Sequence, residues 1–222
     1  MMSAAPGPNA RRRNWTARDM ARIKPLVFLL GLYPLLRWVW LGFTGGLGAN
    51  PPEFLIRSSG IWALVALVLT LSITPVRRLI GQPILLRLRR MLGLFAFFYT
   101  FLHVLAWAFW ERDGSLAFMW EDVLQRDFVT VGTLAFLPMA ALAITSTQGW
   151  MRRLGRSWQT LHRSVYIIAC LSVWHFWLVR SGKNDFAEPY LYGAILAILL
   201  LARLWHKGRL SPARIFPPDV TR

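Results

Sequence analysis

The sequence is short of cysteine, of histidine and of negative charge, and each shortage excludes something. Cys170 is its one cysteine, so an internal disulfide and a paired C-x-x-C-H cofactor attachment are ruled out, and nothing resembles a zinc pattern. Its position inside an apolar run makes it an ordinary packing residue. Asp and Glu number 10 against 26 Lys and Arg, for a net charge of +16. In a soluble protein that imbalance would indicate nucleic acid; the distribution of the charges, below, argues against such a partner. No glycine-rich dinucleotide fingerprint, low-complexity tract, internal repeat or soluble domain is evident. A cleavable leader is not expected either, because the first apolar run follows a tail of about two dozen residues and lacks a small-x-small site. Arg11, Arg12 and Arg13 stand too far from that run to act as a twin-arginine signal, so the tail is expected to be retained.

What the sequence does have is apolar length. It is 55% hydrophobic over 222 residues with mean hydropathy +0.41, values of an integral membrane protein. Apolar segments run over about 25–44, 60–76, 91–110, 128–147, 163–180 and 189–206, each near the roughly 20 residues that span a bilayer. The expected fold is all-α: a bundle of six transmembrane helices over 25–206, between basic tails at 1–24 and 207–222. Of the 26 Lys and Arg, 20 fall in the N-terminal tail, the 77–90 loop, the 147–163 loop and the end from Arg203. Eight of the 10 acidic residues, including Glu111, Asp113, Glu121 and Asp122, fall on the other side. The positive-inside rule then makes both termini cytoplasmic and turns the cations into lipid-facing anchors. Trp107, Trp110, Trp120, Trp150, Trp158, Trp177 and Trp205 cluster near the span ends, where amphipathic rings prefer to sit. The stretch from Gly45 to Pro52 reads as the turn between the first two spans.

Three of the four histidines lie at or inside apolar spans: His103, His162 and His175. Imidazoles in hydrocarbon are costly and need a partner or a function. The third span enters after Arg90 and the fifth near His162, so His103 and His175 both lie about 20 Å deep, on helices running the same way. Two imidazoles at equal depth can supply both axial nitrogens of one b-type heme, which suits electron transfer because no iron position stays open to oxygen. The plain alternative is that each ring satisfies itself on a backbone carbonyl. His162 lies about 140° from the His175 face of a straight helix. It would ligate a second, inner heme, contact a flavin or quinone, or cap the surface. Nearly above His103 on its own helix stands Arg89, which cannot ligate iron, and His206 is a weaker substitute ligand. Arg87, Arg89 and Arg90 form a cationic cluster suited to phosphate or propionate oxygens, or to topology anchoring alone. Arg37, inside the first span, either snorkels outward or pairs with a propionate.

Several motifs then resemble one family: Leu86-Arg87-Leu88-Arg89-Arg90-Met91-Leu92-Gly93-Leu94 followed by Leu102-His103, Thr44-Gly45-Gly46-Leu47-Gly48-Ala49-Asn50-Pro51, Thr74-Pro75-Val76-Arg77-Arg78, and Trp158-Gln159-Thr160-Leu161-His162-Arg163. Together they look like the heme-binding membrane subunits of the bacterial protein-methionine-sulfoxide reductase system, within the ferric reductase-like transmembrane group. The resemblance covers residues 24–207. In the wider group, two histidines on each of two helices hold two stacked hemes; here the inner position on the third span is Arg89. The resemblance implies heme b and FMN, with Arg89 and His162 as candidates for the flavin or inner cofactor. It also implies electrons arriving from the quinone pool or a flavin reductase. They would leave to a periplasmic molybdopterin enzyme that reduces methionine sulfoxide in oxidised proteins. The chain would be an electron-transfer subunit in the bacterial inner membrane, with no catalytic residue of its own. A rival reading is a stand-alone ferric or oxygen reductase, which would need a separate cytosolic donor, since about 16 residues after the last span leave no room for a dinucleotide-binding domain. A third reading is a non-redox scaffold whose histidines are structural.

Overall fold

The computed structural model describes residues 15–205 in full and the helical backbone of 206–208. The side chain of His206, and the tail residues 1–14 and 209–222, lie outside the described residues. Among the described residues every regular element is helical. α1 spans Ala17–Phe43, α2 Pro51–Leu79, α3 Leu86–Ala106, α4 Leu116–Gln125, α5 Asp127–Ile144, α6 Gln148–Leu154, α7 Arg156–Arg163, α8 Val165–Ser181 and α9 Ala187–Gly208. A 3₁₀ turn at Pro83–Leu85 leads into α3, and a π-helical turn at Trp107–Glu111 continues it. Six of the resulting segments are long and apolar enough to cross a membrane: Ala17–Phe43, Pro51–Leu79, Pro83–Glu111, Asp127–Ile144, Arg156–Ser181 and Ala187–Trp205.

The spans fall where the apolar runs put them, but several begin earlier than expected. α1 starts within the expected N-terminal tail, where Thr16 and Asp19 form a reciprocal capping box that satisfies orphan backbone donors. Pro51 and Pro52 open α2 instead of closing the preceding turn, because a first-turn residue needs no N–H. The Asn50 side chain accepts from the Glu53 N–H at 3.2 Å and fixes that start. The connections are also less plain than expected. Between the third and fourth spans lies α4, and the 147–163 loop carries α6 and α7, separated by Gly155 at φ +51°.

α2 packs most closely on α3, and α5 on α8; α9 leans on α8 and α2, and α1 on α3. Ala96, Tyr99, Ile168 and Ala169 at the centre are almost wholly buried. Small residues there let helices approach where no hydrophobic drive separates protein from lipid. The outer surface is apolar as well: Leu26, Leu29 and Leu30 on α1, Leu134 and Leu137 on α5, and Ile198 and Leu201 on α9 are exposed. Such a surface requires lipid as its solvent. Cys170, expected to be a packing residue, faces this outer surface. Hydroxyls within the spans return to their own helices, as Thr70 does to the Ala66 carbonyl at 2.7 Å and Thr100 to the Ala96 carbonyl at 2.8 Å.

Both described ends of the chain lie at one end of the bundle. The Trp15 N–H donates to Gln82 Oε1 at 2.7 Å, and Arg203 Nη1 donates to Thr74 Oγ1 at 3.5 Å. This is the end with the arginine-rich loops, called here the basic end. The acidic end holds Lys183–Glu53 at 3.2 Å, Arg126–Asp122 at 3.1 Å and Arg180–Asp185 at 3.1 Å.

α1 is fastened by one close crossing. Tyr99 donates its hydroxyl to the Gly31 carbonyl, and a Cβ at Gly31 would meet the Phe95 ring at 2.5 Å. Gly31→Val is therefore expected to cost about 1–3 kcal/mol through overpacking. Tyr99→Phe is expected to cost about 1 kcal/mol through the lost hydrogen bond. Unfolding of the detergent-solubilised protein measures both, and Gly31→Val should be the worse of the two.

Candidate functional site

His103 projects from α3 and His175 from α8, and the structure brings their ring centroids to 6.0 Å at an interplanar angle of 83°. His103 Nδ1 lies 2.9 Å from the Ile56 carbonyl oxygen on α2, and His175 Nδ1 lies 2.6 Å from the Phe128 carbonyl oxygen on α5. A carbonyl can only accept, so each Nδ1 carries the proton and each Nε2 keeps its lone pair. A backbone acceptor on the far ring nitrogen is the arrangement that orients a metal-ligating histidine. Two nitrogen–metal bonds of about 2 Å, with the two ring radii added, sum to about 6 Å, so the spacing fits one metal between the rings. Among the described residues no group of three or more His, Cys, Asp or Glu comes together. A cofactor that brings its own equatorial ligands therefore suits this donor set.

Two glycines make the arrangement sterically feasible, and the sequence reading overlooked both. A Cβ on Gly60 would stand 3.2 Å from His103 Nδ1, and one on Gly132 would stand 2.9 Å from His175 Nδ1. Each glycine follows the accepting carbonyl by four residues, so it clears the groove in which the ring lies. The separation between carbonyl and histidine is 47 residues in both cases. That equal spacing, with a glycine in each apolar span, was the signal available in the sequence.

His162 is not brought to this pair. It lies on α7, about 20 Å along the helical path from His175. The straight-helix angle between them does not apply, because α7 ends at Arg163 and α8 restarts at Val165. Its ring stacks on Trp158 at 3.8 Å, its Nδ1 lies 3.1 Å from the Trp158 carbonyl, and its Nε2 is buried with no hydrogen-bond partner. Of the arginine cluster, Arg87 and Arg90 are exposed and Arg89 is half-buried. Arg37 is exposed and lies over the Phe54 ring at 5.8 Å, on the outside of the bundle.

Comparison with known proteins places this arrangement. The model of the family described as "Ferric reductase like transmembrane component" matches residues 59–173. The protein-methionine-sulfoxide reductase heme-binding subunit MsrQ of Bordetella pertussis is 58% identical over 195 residues, covering 86% of this chain and 95% of that protein. The chain belongs to the MsrQ family. MsrQ of Ralstonia nicotianae is 49% identical over 189 residues, covering 85% of the chain and 87% of the relative. MsrQ of Xanthomonas euvesicatoria is 44% identical over 215 residues, covering 93% and 98%. No solved structure matches. In this MsrQ-family chain the ferric reductase-like match begins beside Gly60 and contains His103, Gly132 and His162, ending just before His175.

The contact between Gly132 and His175 has a measurable signature. Gly132→Val is expected to destabilise the apoprotein by about 1–3 kcal/mol through overpacking against the ring. In the His175→Ala background most of that cost should vanish, giving a coupling of about 1 kcal/mol or more in a double-mutant cycle. Additive effects would refute the contact.

Proposed function

We propose that this MsrQ-family protein is a membrane electron-transfer subunit that holds heme b between His103 and His175 and serves a methionine-sulfoxide reductase. The observation that carries the reading is the imidazole pair, with ring centroids 6.0 Å apart and both Nδ1 atoms committed to helix carbonyls. Heme, when bound, supplies a one-electron iron couple. His103 and His175 would fill both axial positions, so oxygen would find no free site and the chemistry would be limited to passing electrons. The Ile56 and Phe128 carbonyls accept the Nδ1 protons and hold both rings in the ligating tautomer. The relatives are named as heme-binding subunits of a protein-methionine-sulfoxide reductase, which supports both the cofactor and the kind of partner.

The direction of transfer follows from charge. With the arginine-rich end cytoplasmic, both termini face the cytoplasmic side of the bacterial inner membrane and the histidine pair sits toward the outer face. Electrons from the quinone pool or a flavin reductase would enter at the basic end. There Arg89 and His162 would hold an inner cofactor, FMN or a second heme. The acceptor is then a periplasmic molybdopterin enzyme that reduces methionine sulfoxide in oxidised proteins.

Purified protein is expected to show b-type absorption that His103→Ala or His175→Ala abolishes and His162→Ala leaves in place at the outer site. Retention of the full spectrum in both of the first two variants would sink the assignment. Deletion of the subunit should also abolish methionine-sulfoxide repair of periplasmic proteins, and intact repair would exclude the proposed partner.

A further inference from the structure

The two rings are seated in the same way, on carbonyls that are themselves held differently. Ile56 is the sixth residue of α2, whose start is locked by Pro51, Pro52 and the Asn50 side chain. Phe128 is only the second residue of α5, and no side chain caps that helix. The first turn of a helix has backbone donors without helical partners and is where helices fray. The carbonyl that fixes the His175 ring therefore stands at a helix end that its own residues leave loose. Yet it lies 2.6 Å from His175 Nδ1, so something beyond the helix holds it there.

Asp122, on α4, is the one buried carboxylate among the described residues. Its Oδ1 receives Arg126 Nε at 3.1 Å, and Arg126 is the residue from which α5 starts. Its Oδ2 receives Arg112 Nε, just beyond the π-helical turn that ends the His103 span. Two more bonds tie α4 to the first turn of α5. The Arg126 N–H donates to the Asp122 carbonyl at 2.9 Å, and the Thr130 hydroxyl donates to the Val123 carbonyl at 2.5 Å. Phe128 lies between Arg126 and Thr130, the two residues so held. An exposed ion pair, such as Arg57–Glu53 at 3.8 Å, contributes little. A desolvated carboxylate between two guanidinium groups is a firm tie, because releasing either partner strands a charge.

We infer that Asp122 is a positioning residue: through Arg126 it holds the Phe128 carbonyl where it accepts the His175 Nδ1 proton, and so keeps that ring in the tautomer that leaves Nε2 free. Through Arg112 the same carboxylate ties the end of the His103 span to the start of α5. His103 needs no such support, because its acceptor lies more than a full turn inside a capped helix. That the His175 ring ligates iron rests on the heme reading above; that Asp122 seats the ring does not.

The test reads the ring itself. Nitrogen NMR spectra of the histidine-labelled apoprotein in detergent distinguish Nδ1–H from Nε2–H rings, and His103→Ala and His175→Ala assign the lines. Both rings should be Nδ1–H in the unmodified protein. Asp122→Asn, which keeps the shape and removes the charge, should move the His175 line toward a mixture of tautomers and leave the His103 line in place. Asp122→Glu should restore much of the original spectrum. Gly31→Val, which loosens the distant α1 crossing, should move neither line. In the heme-loaded protein, transfer of heme to excess apomyoglobin should be about tenfold faster for Asp122→Asn, the lower end of the loss expected when a ligand's support is removed. If Asp122→Asn does not fold, Arg126→Gln takes its place, since that side chain is 47% exposed. An unchanged His175 line, equal movement of both histidine lines, an equal shift in Gly31→Val or an unchanged rate of heme transfer would overturn the inference. A protein that takes up no heme would refute the heme reading and leave the apoprotein spectra to decide this one.

Discussion

The arrangement at the centre of this bundle depends on one kind of hydrogen bond, from an imidazole Nδ1–H to a carbonyl on the neighbouring helix. It occurs twice, from His103 to Ile56 and from His175 to Phe128. Each bond fixes a tautomer, and the tautomer leaves the opposite nitrogen free to ligate. Each also demands that a ring lie almost against the backbone of the next helix, which is why a glycine stands one turn beyond each acceptor. The closest helix pairings, α2 with α3 and α5 with α8, are the two that make these bonds. Helix contact and ligand orientation are thus one requirement, met twice in the same way.

Around that centre the charges are sorted by chemistry as well as by side. At the acidic end Asp122 is buried and receives both Arg112 and Arg126, and Arg180 is buried between Asp185 and Glu188. Such networks hold the mouths of spans in register, because the loss of one partner strands a desolvated charge. At the basic end, among the described residues, the half-buried Arg77, Arg89 and Arg203 have no carboxylate within ion-pair distance. Among the described residues the two ends therefore differ in how their arginines are paired.

Much of this was legible in the sequence. Run lengths located all six spans, and the common offset of His103 and His175 from their entry points anticipated two rings meeting at one level. Rotation about the helix axis was harder to read, for a physical reason. A membrane helix is apolar on its lipid face and on its packed face alike, so periodicity gives little azimuth. Cys170 was therefore expected inside and lies outside, whereas Arg89, set apart from Arg87 and Arg90 by its offset from His103, is the half-buried one of the three. Local capping overrode hydropathy at Thr16 and at Asn50-Pro51-Pro52, which lengthened α1 and α2. Gly60 and Gly132 passed unnoticed because glycine is common in membrane helices; only the ring beside each gives it meaning.

The equal spacing of carbonyl and histidine conceals two different routes. From Ile56 to His103 the chain turns once, tightly, at Gly81 with φ +71°. From Phe128 to His175 it passes through α6 and α7 before α8 begins. The first hairpin is complete when α3 has been made, whereas the second needs the chain as far as α8. Membrane chains are synthesised from the N-terminus, and units that contact locally settle first. His103 is therefore seated on Ile56 well before its counterpart exists, and biogenesis leaves a half-built cleft that only the fifth span closes. A cofactor held by both rings, as proposed above, would be loaded late in assembly, once α8 has entered the bilayer.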